Sequence, residues 1–255
     1  MKKVVLLVMA AFLSVALFGC VLGNNPDQAA QESNTAASSD TKDDTAIVTP
    51  TEPEAYEITY QNVHFTTSSD GSVVAHLIVE ITNTGILPLY LRSDLFELET
   101  SDSEFPVSLG LVTAYPQIIE SGEKGYYATD TEVDNIPVGA SVQIVPHLSI
   151  ERATAENLRF QTGEITLKTN SQGGIMATGR VKNNTSTNYS RVEVAVVLYD
   201  ENDTPLDVLH DVLIGTLEAG GELNFSASDY GDASDIRHDS VDHCTAVAYL
   251  HALQI

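Results

Sequence analysis

From Tyr56 onward, apolar residues recur at every second position in short runs, and Pro, Gly or Asn breaks the gaps between them. That period belongs to strands, and it leaves little room for helices. Tyr56, Ile58 and Tyr60 alternate with polar residues. Val63 and Phe65 take the opposite phase, so a bulge or bend is expected between Tyr60 and Val63. The run Val73 to Ile81 ends in the turn signal Thr82-Asn83-Thr84-Gly85. Further strands are expected at Leu95 to Leu98, Val107 to Leu111, Gly125 to Thr131 and Val142 to Ile150. Pro88, Pro106, Pro116, Pro137 and Pro146 mark edges or turns, because proline cannot donate to a ladder. The one short helix expected is Thr154 to Phe160, with Thr154 as its cap.

The pattern then repeats. Ala75 to Asn83 is echoed by Ala177 to Asn184, each a strand running into an Asn-containing turn. Ile118-Ile119-Glu120-Ser121-Gly122-Glu123 is echoed by Thr216-Leu217-Glu218-Ala219-Gly220-Gly221. An aromatic-bearing strand follows each, Gly125 to Thr131 and Leu223 to Ser228, and an apolar strand closes each half, Val142 to Ile150 and Cys244 to Ile255. The lag is about 100 residues, the size of one sandwich domain. The expected fold class is therefore all-β: two tandem immunoglobulin-like antiparallel β-sandwich domains at 54–153 and 157–255, with the boundary between Glu151 and Phe160.

The first 53 residues are of a different kind. Met1-Lys2-Lys3 precedes an apolar run from Val4 to Phe18 broken only by Ser14, and the run ends in Gly19-Cys20. A membrane span needs roughly 20 apolar residues, which this run does not reach. A basic start, a short apolar core and a small residue at the end form the signal-peptide pattern. Leu17, Phe18, Gly19 and Cys20 resemble the lipobox of bacterial lipoproteins, although Phe18 stands where Ala or Ser is commonest. The resemblance implies a signal peptide at 1–19, cleaved before a diacylated Cys20, and a cell-membrane location on the extracytoplasmic face. The alternative is an ordinary secretory signal with an incidental cysteine. Two acyl chains give a durable anchor where one does not. Residues 20–53 have no hydrophobic period and are rich in Asn, Gln, Ser, Thr, Ala, Asp and Pro, so a disordered linker is expected.

In the second half, Gly179-Arg180-Val181-Lys182-Asn183-Asn184 leads, after a turn, to Val192-Glu193-Val194-Ala195-Val196-Val197-Leu198-Tyr199-Asp200. Residues 158–255 look like the FxLYD domain of bacterial extracellular proteins. Leu198, Tyr199 and Asp200 match its motif, and Val196 replaces the phenylalanine. The resemblance implies a small antiparallel sandwich without assigned enzymatic activity. Independently of it, Val192, Val194, Val196 and Leu198 alternate onto one strand face, with Glu193 and Ala195 on the other. Leu198 is expected to pack among Val194, Val196, Val247 and Tyr249. Asp200 opens a turn by accepting from backbone amides two residues on.

Charge narrows the partners. The chain carries 12 Lys+Arg against 36 Asp+Glu, a formal net charge of -24. Signal removal takes Lys2 and Lys3 and no acid, so the body is more acidic still. This argues against nucleic acid, whose phosphates demand a cationic face, and against docking on anionic head groups. The expected contacts are the membrane through the lipid anchor and an envelope protein or glycan, and a monomer is expected. Cys20 and Cys244 are the only cysteines, so lipidation of Cys20 leaves no intramolecular disulfide. Cys244 reads as an inert thiol in a buried strand.

Several clusters invite sharper readings. Asp200, Asn202 and Asp203 have the flavour of a calcium loop, but Pro205 stands where a glycine turn is required and no Glu closes the loop, which favours a hairpin turn. His238, Asp239, Asp242, His243 and Cys244 hold zinc-type ligands, yet not as two spaced pairs, and Asp229 to Asp242 reads as a solvated loop. His210 and Asp211 with Ser226 or Ser228 suggest a triad, without any Gly-x-Ser-x-Gly elbow. Tyr115, Tyr126 and Tyr127 are either a carbohydrate-stacking platform or, the favoured reading, a core edge. The expectation is a non-enzymatic binding or structural module with no catalytic residue, no metal and no cofactor. The alternative is a metal-dependent binder or hydrolase on the same scaffold.

Overall fold

The computed structural model describes residues 55–68, 70–101, 106–134, 136, 140–170, 173–228 and 240–251. Leu17, Phe18, Gly19, Cys20 and the linker 20–53 lie outside the described residues. In chain order the first half contains β1 (Tyr56–Thr67), β2 (Val73–Asn83), β3 (Leu89–Leu91), β4 (Asp94–Thr100), β5 (Val107–Val112), β6 (Ala114–Tyr115), β7 (Ile118–Ile119), β8 (Lys124–Val133), β9 (Val142–His147) and β10 (Ile150–Arg152). The second contains β11 (Arg159–Thr162), β12 (Thr166–Thr169), β13 (Ile175–Lys182), β14 (Tyr189–Ser190), β15 (Val192–Tyr199), β16 (Pro205–Val212), β17 (Thr216–Leu217), β18 (Glu222–Ser228) and β19 (His243–Leu250). No α-helix occurs among the described residues.

Every strand pairing is antiparallel, and the protein is an all-β sandwich. In the first half, the sheet β1-β2-β8-β6 faces the sheet β5-β4-β9, with a small ladder β10-β3-β7 beside them. Leu77, Val79, Ile81 and Tyr127 from the first sheet meet Phe96, Leu98 and Ile144 from the second in one core. In the second half, β12-β13-β18 faces β19-β15-β16 over Ile175, Val181, Phe225, Val194, Val196 and Leu198. The ladder β14-β17 stands where β3-β7 stands in the first half. The main strand pairings thus occur twice, in the same chain order, while β6 with β8 and β10 with β3 belong to the first half alone.

The expected helix at Thr154 to Phe160 is not formed. That segment is irregular and runs into β11, whose Phe160 pairs with Ala248 and is buried. Strand β11 joins the two sheets: Arg159 and Phe160 pair with β19, Gln161 and Thr162 with β13. Its tertiary partners and the burial of Phe160 override a weak capping signal. The register slip in β1 lies between Ile58 and Tyr60, earlier than the change of phase. Beyond it both phases are real, because Tyr60 packs on the second half and Val63 and Phe65 on the first core.

Two buried asparagines hold the repeat in place. Asn83 Nδ2 donates to Leu87 O (2.8 Å) and Ile119 O (3.1 Å), and its Oδ1 accepts from Gly85 N (3.0 Å). Asn183 Nδ2 donates to Thr187 O (2.7 Å), Leu217 O (3.2 Å) and Glu218 O (3.1 Å), and its Oδ1 accepts from Thr185 N (2.9 Å). Both side chains tie the turn after the second long strand of their half to the β7 or β17 segment. The backbone copies the motif: Asn83 N donates to Glu123 O and Asn183 N to Gly221 O, each at 3.0 Å. In each copy the hairpin turn places a glycine at positive φ, Gly122 at 79° and Gly220 at 70°, where a side chain would be strained.

The halves meet across a third apolar cluster. Ile78 and Tyr126, with Tyr60, Tyr115 and Ala128 beside them, cover Ala195, Val197, Tyr199, Val208 and Tyr249. Tyr126 and Tyr199 join hydroxyls at 2.7 Å. Strand β15 is consequently buried on both faces along its whole length.

Candidate functional site

The strand that carries the motif residues is structural in its contacts. Val196 and Leu198 are fully buried in the second core with Val194. Val247 and Tyr249 do not share that core: they lie on the opposite face of the sheet with Ala195 and Tyr199, against the first half. The reason is register. Leu198 pairs with Cys244, and Val247 pairs with Ala195, so odd-numbered positions of both strands face the first half.

Asp200 closes the β15–β16 hairpin. Its Oδ1 accepts from Asn202 N (2.8 Å) and Thr204 N (2.9 Å), and these amides hold its carboxyl below the usual range. Asp203 takes φ 61° to complete the turn. Asp200 Oδ1 is thus engaged by amides of its own hairpin. Among the described residues no group of three His, Cys, Asp or Glu is arranged to hold a metal. His238 and Asp239 lie outside the described residues, whereas His243 stacks on Tyr199 at 4.9 Å and is 3.3 Å from Asp242. Cys244 is half-buried, and burial pushes its thiol pKa up.

His210 and Asp211 do not form a triad with Ser226. Asp211 Oδ2 accepts from the Ser226 backbone amide at 2.8 Å, and His210 Nε2 points to Glu193 Oε2 at 3.3 Å. Glu193 is the centre of a buried polar group at the junction. Tyr249 donates to its Oε2 at 3.0 Å, and His251 Nδ1 lies 2.6 Å from its Oε1. Burial pushes the Glu193 carboxyl up. The hydrogen bond and charge of His210, the charge of His251 and the Tyr249 hydroxyl outweigh that and hold it below its ordinary value. The Tyr115 ring lies 4.6 Å from His210, tilted by 35°, and Arg159 lies 5.8 Å from the Tyr249 ring centroid while donating to Ile118 O at 2.6 Å. Tyr126 and Tyr127 are buried too, and Tyr127 donates to Asp94 Oδ2 at 2.8 Å. The three tyrosines line cores and the junction, and present no open stacking platform.

A second polar group escaped the sequence reading. Thr66 Oγ1 lies 2.8 Å from His76 Nε2, and His76 Nδ1 lies 2.7 Å from Asp130 Oδ1. His64 stacks on His76 at 4.6 Å, as its direct cross-strand partner. The order hydroxyl, imidazole, carboxylate is that of a general-base relay. However, Thr66 and His76 are buried, and the adjoining space measures 10 Å³, about one water in size. A substrate does not fit there. The sequence signal was available only as His64 and His76 within facing strands.

A larger opening lies elsewhere. A cleft of 560 Å³ lies over β11, β12, β13 and β18, lined by Gln161, Glu164, Thr178, Arg180, Lys182 and Asn224, with Glu222 at one wall. Strand alternation explains its polarity: Ile175, Ala177 and Val181 point into the core, and Thr178, Arg180 and Lys182 point out. Gly179 lets Phe225 come close, since a Cβ there would lie 2.6 Å from the ring. Arg180 Nη1 is 3.4 Å from Glu222 Oε2, and Asn184 donates to Gln161 Oε1 at 2.9 Å. The described residues of the cleft supply hydrogen-bond donors and acceptors and set no nucleophile beside a base.

No protein-family model matches the chain, and no curated protein matches it.

Proposed function

We propose that the protein is a lipid-anchored, extracytoplasmic binding module of the bacterial envelope, held to the membrane at Cys20 and displaying two tandem sandwich domains on a disordered linker. The reading draws on the lipobox-like Leu17 to Cys20 for location and on the FxLYD-like run ending in Leu198, Tyr199 and Asp200 for the second domain. One observation carries the choice of binding over catalysis. The titratable clusters around Glu193 and His76 are buried where they tie strands and halves together, while the open cleft has hydrogen-bonding groups and no activated nucleophile. Partners are envelope components reached through the cleft, and nucleic acid is disfavoured by the charge.

The anchor is tested by Cys20→Ala, followed by membrane fractionation. The variant is expected to leave the membrane fraction or to accumulate with its signal uncleaved. Unchanged membrane partitioning with normal signal cleavage overturns the reading.

A further inference from the structure

We propose that the cleft over β13 and β18 is a binding site for an uncharged, hydroxyl-rich saccharide chain. This deepens the envelope-binding reading and rests on it. The internal repeat isolates what is special about this face. On β2 and β8 the outward pairs are Ile78 with Ala128, Glu80 with Tyr126 and Thr82 with Lys124. On β13 and β18 the equivalent pairs are Thr178 with Ser226, Arg180 with Asn224 and Lys182 with Glu222. In the first half this face is buried under the second half through Ile78, Tyr126 and Ala128. In the second half the same register positions carry hydroxyls, amides and charges, and all of them but Ser226 line a cleft of 560 Å³. That volume lies within the range of small-ligand sites, about 300–1,000 Å³.

The chemistry narrows the occupant. In a chain of net charge -24, the cleft is balanced, with Arg180 and Lys182 against Glu164 and Glu222. A polyanion meets two carboxylates there, and a polycation meets two cations. An extended peptide cannot add to β13, the central strand under the cleft, because β12 and β18 pair it on both sides. Sugar hydroxyls both donate and accept. They match Arg180, Lys182 and the Asn224 amide as donors, and Glu164, Glu222 and the amide oxygens as acceptors. The Arg180 fork is suited to a vicinal pair of hydroxyls. Lys182 makes no ion pair among the described residues, so its donors are available.

The test is calorimetric titration of the detergent-solubilised, lipidated full chain with tetramers of N-acetylglucosamine, glucose and mannose, and with tetragalacturonate as the charged counterpart. At least one neutral tetramer is expected to bind, with affinity changing less than twofold between 50 and 500 mM salt, and more tightly than tetragalacturonate. Lys182→Gln and Asn224→Ala, each with an unchanged melting temperature, are expected to weaken it at least tenfold. The inference is overturned if no neutral tetramer binds, if tetragalacturonate binds more tightly and in a salt-dependent way, or if neither variant weakens binding. Retention of the chain on delipidated envelope polysaccharide separates the two levels. Retention that Lys182→Gln leaves intact overturns the cleft and spares the envelope-binding reading; no retention at all overturns both.

Discussion

Replacing Asn183 by alanine should be among the most damaging polar changes in the protein. The side chain is fully buried and makes three donor contacts and one to a backbone amide, with Thr185 Oγ1 adding another at 2.8 Å. Truncation takes the amide away from Thr187 O, Leu217 O, Glu218 O and Thr185 N, of which Thr187 O still accepts from Thr185 Oγ1 at 3.3 Å. An unsatisfied buried group costs about 1–3 kcal/mol, and a water entering the gap recovers part of it, so a loss of about 3–5 kcal/mol is expected. Against a domain stability of about 5–15 kcal/mol, that is a large fraction. In urea, with a slope of about 1–3 kcal/mol/M, the midpoint should fall by roughly 1–3 M. Asn83→Ala should cost somewhat less, because Asn83 donates to two carbonyls rather than three and Gly85 offers no hydroxyl where Thr185 does. Asn184→Ala is the control: its side chain is exposed and bonds Gln161, so the change should stay below about 0.5 kcal/mol. Asn183→Ala behaving like Asn184→Ala would refute the claim that the repeat is pinned at this residue.

Three further outcomes are expected. Leu198→Ala should lose about 2–5 kcal/mol, since the side chain is fully buried in the second core, and Asp200→Ala should lose less because its turn is exposed; denaturant midpoints in the reverse order, or an Asp200 effect seen only with calcium, would point to an ion at the hairpin. Burial, the shared hydrogen bond and charge of Tyr199, and Glu80 push the Tyr126 pKa far above its ordinary 10.0, so its contribution is complete below pH 10.0 and is lost as the unfolded chain ionises above it; stability that does not fall between pH 9 and 11, or falls equally in Tyr126→Phe, counts against this. The segment from Asn157 to Ile255 should fold alone with strand-type circular dichroism, yet with lower stability because Val197, Tyr199 and Tyr249 lose their cover; a random-coil spectrum alongside cooperative folding of 54–255 would make the two halves one folding unit.

The all-β class was legible because period-two alternation and turn residues are local properties of the chain. Val73 to Ile81 and Gly125 to Thr131 fall within β2 and β8, and the echo of Asn83 in the Asn183 region marked the repeat. Thr154 misled because a cap signal is weak beside the pairing that draws Arg159 and Phe160 into β11. The candidate cleft was not visible, since Gln161, Arg180 and Asn224 converge from three strands brought together only by pairing. The Thr66, His76 and Asp130 relay was hidden for the same reason.

What the sequence determined by itself is which residues of each strand point the same way. Along Val192 to Tyr199 it separated Val194, Val196 and Leu198 from Ala195, Val197 and Tyr199, because adjacent side chains of an extended chain alternate. Only the tertiary structure decided what each face meets. The second face is buried too, under Ile78 and Tyr126, and there Glu193 draws in His210, Tyr249 and His251. Alternation fixes direction along one strand, but whether an outward face meets water or another sheet depends on residues distant in the chain, such as Tyr126, 73 positions from Tyr199.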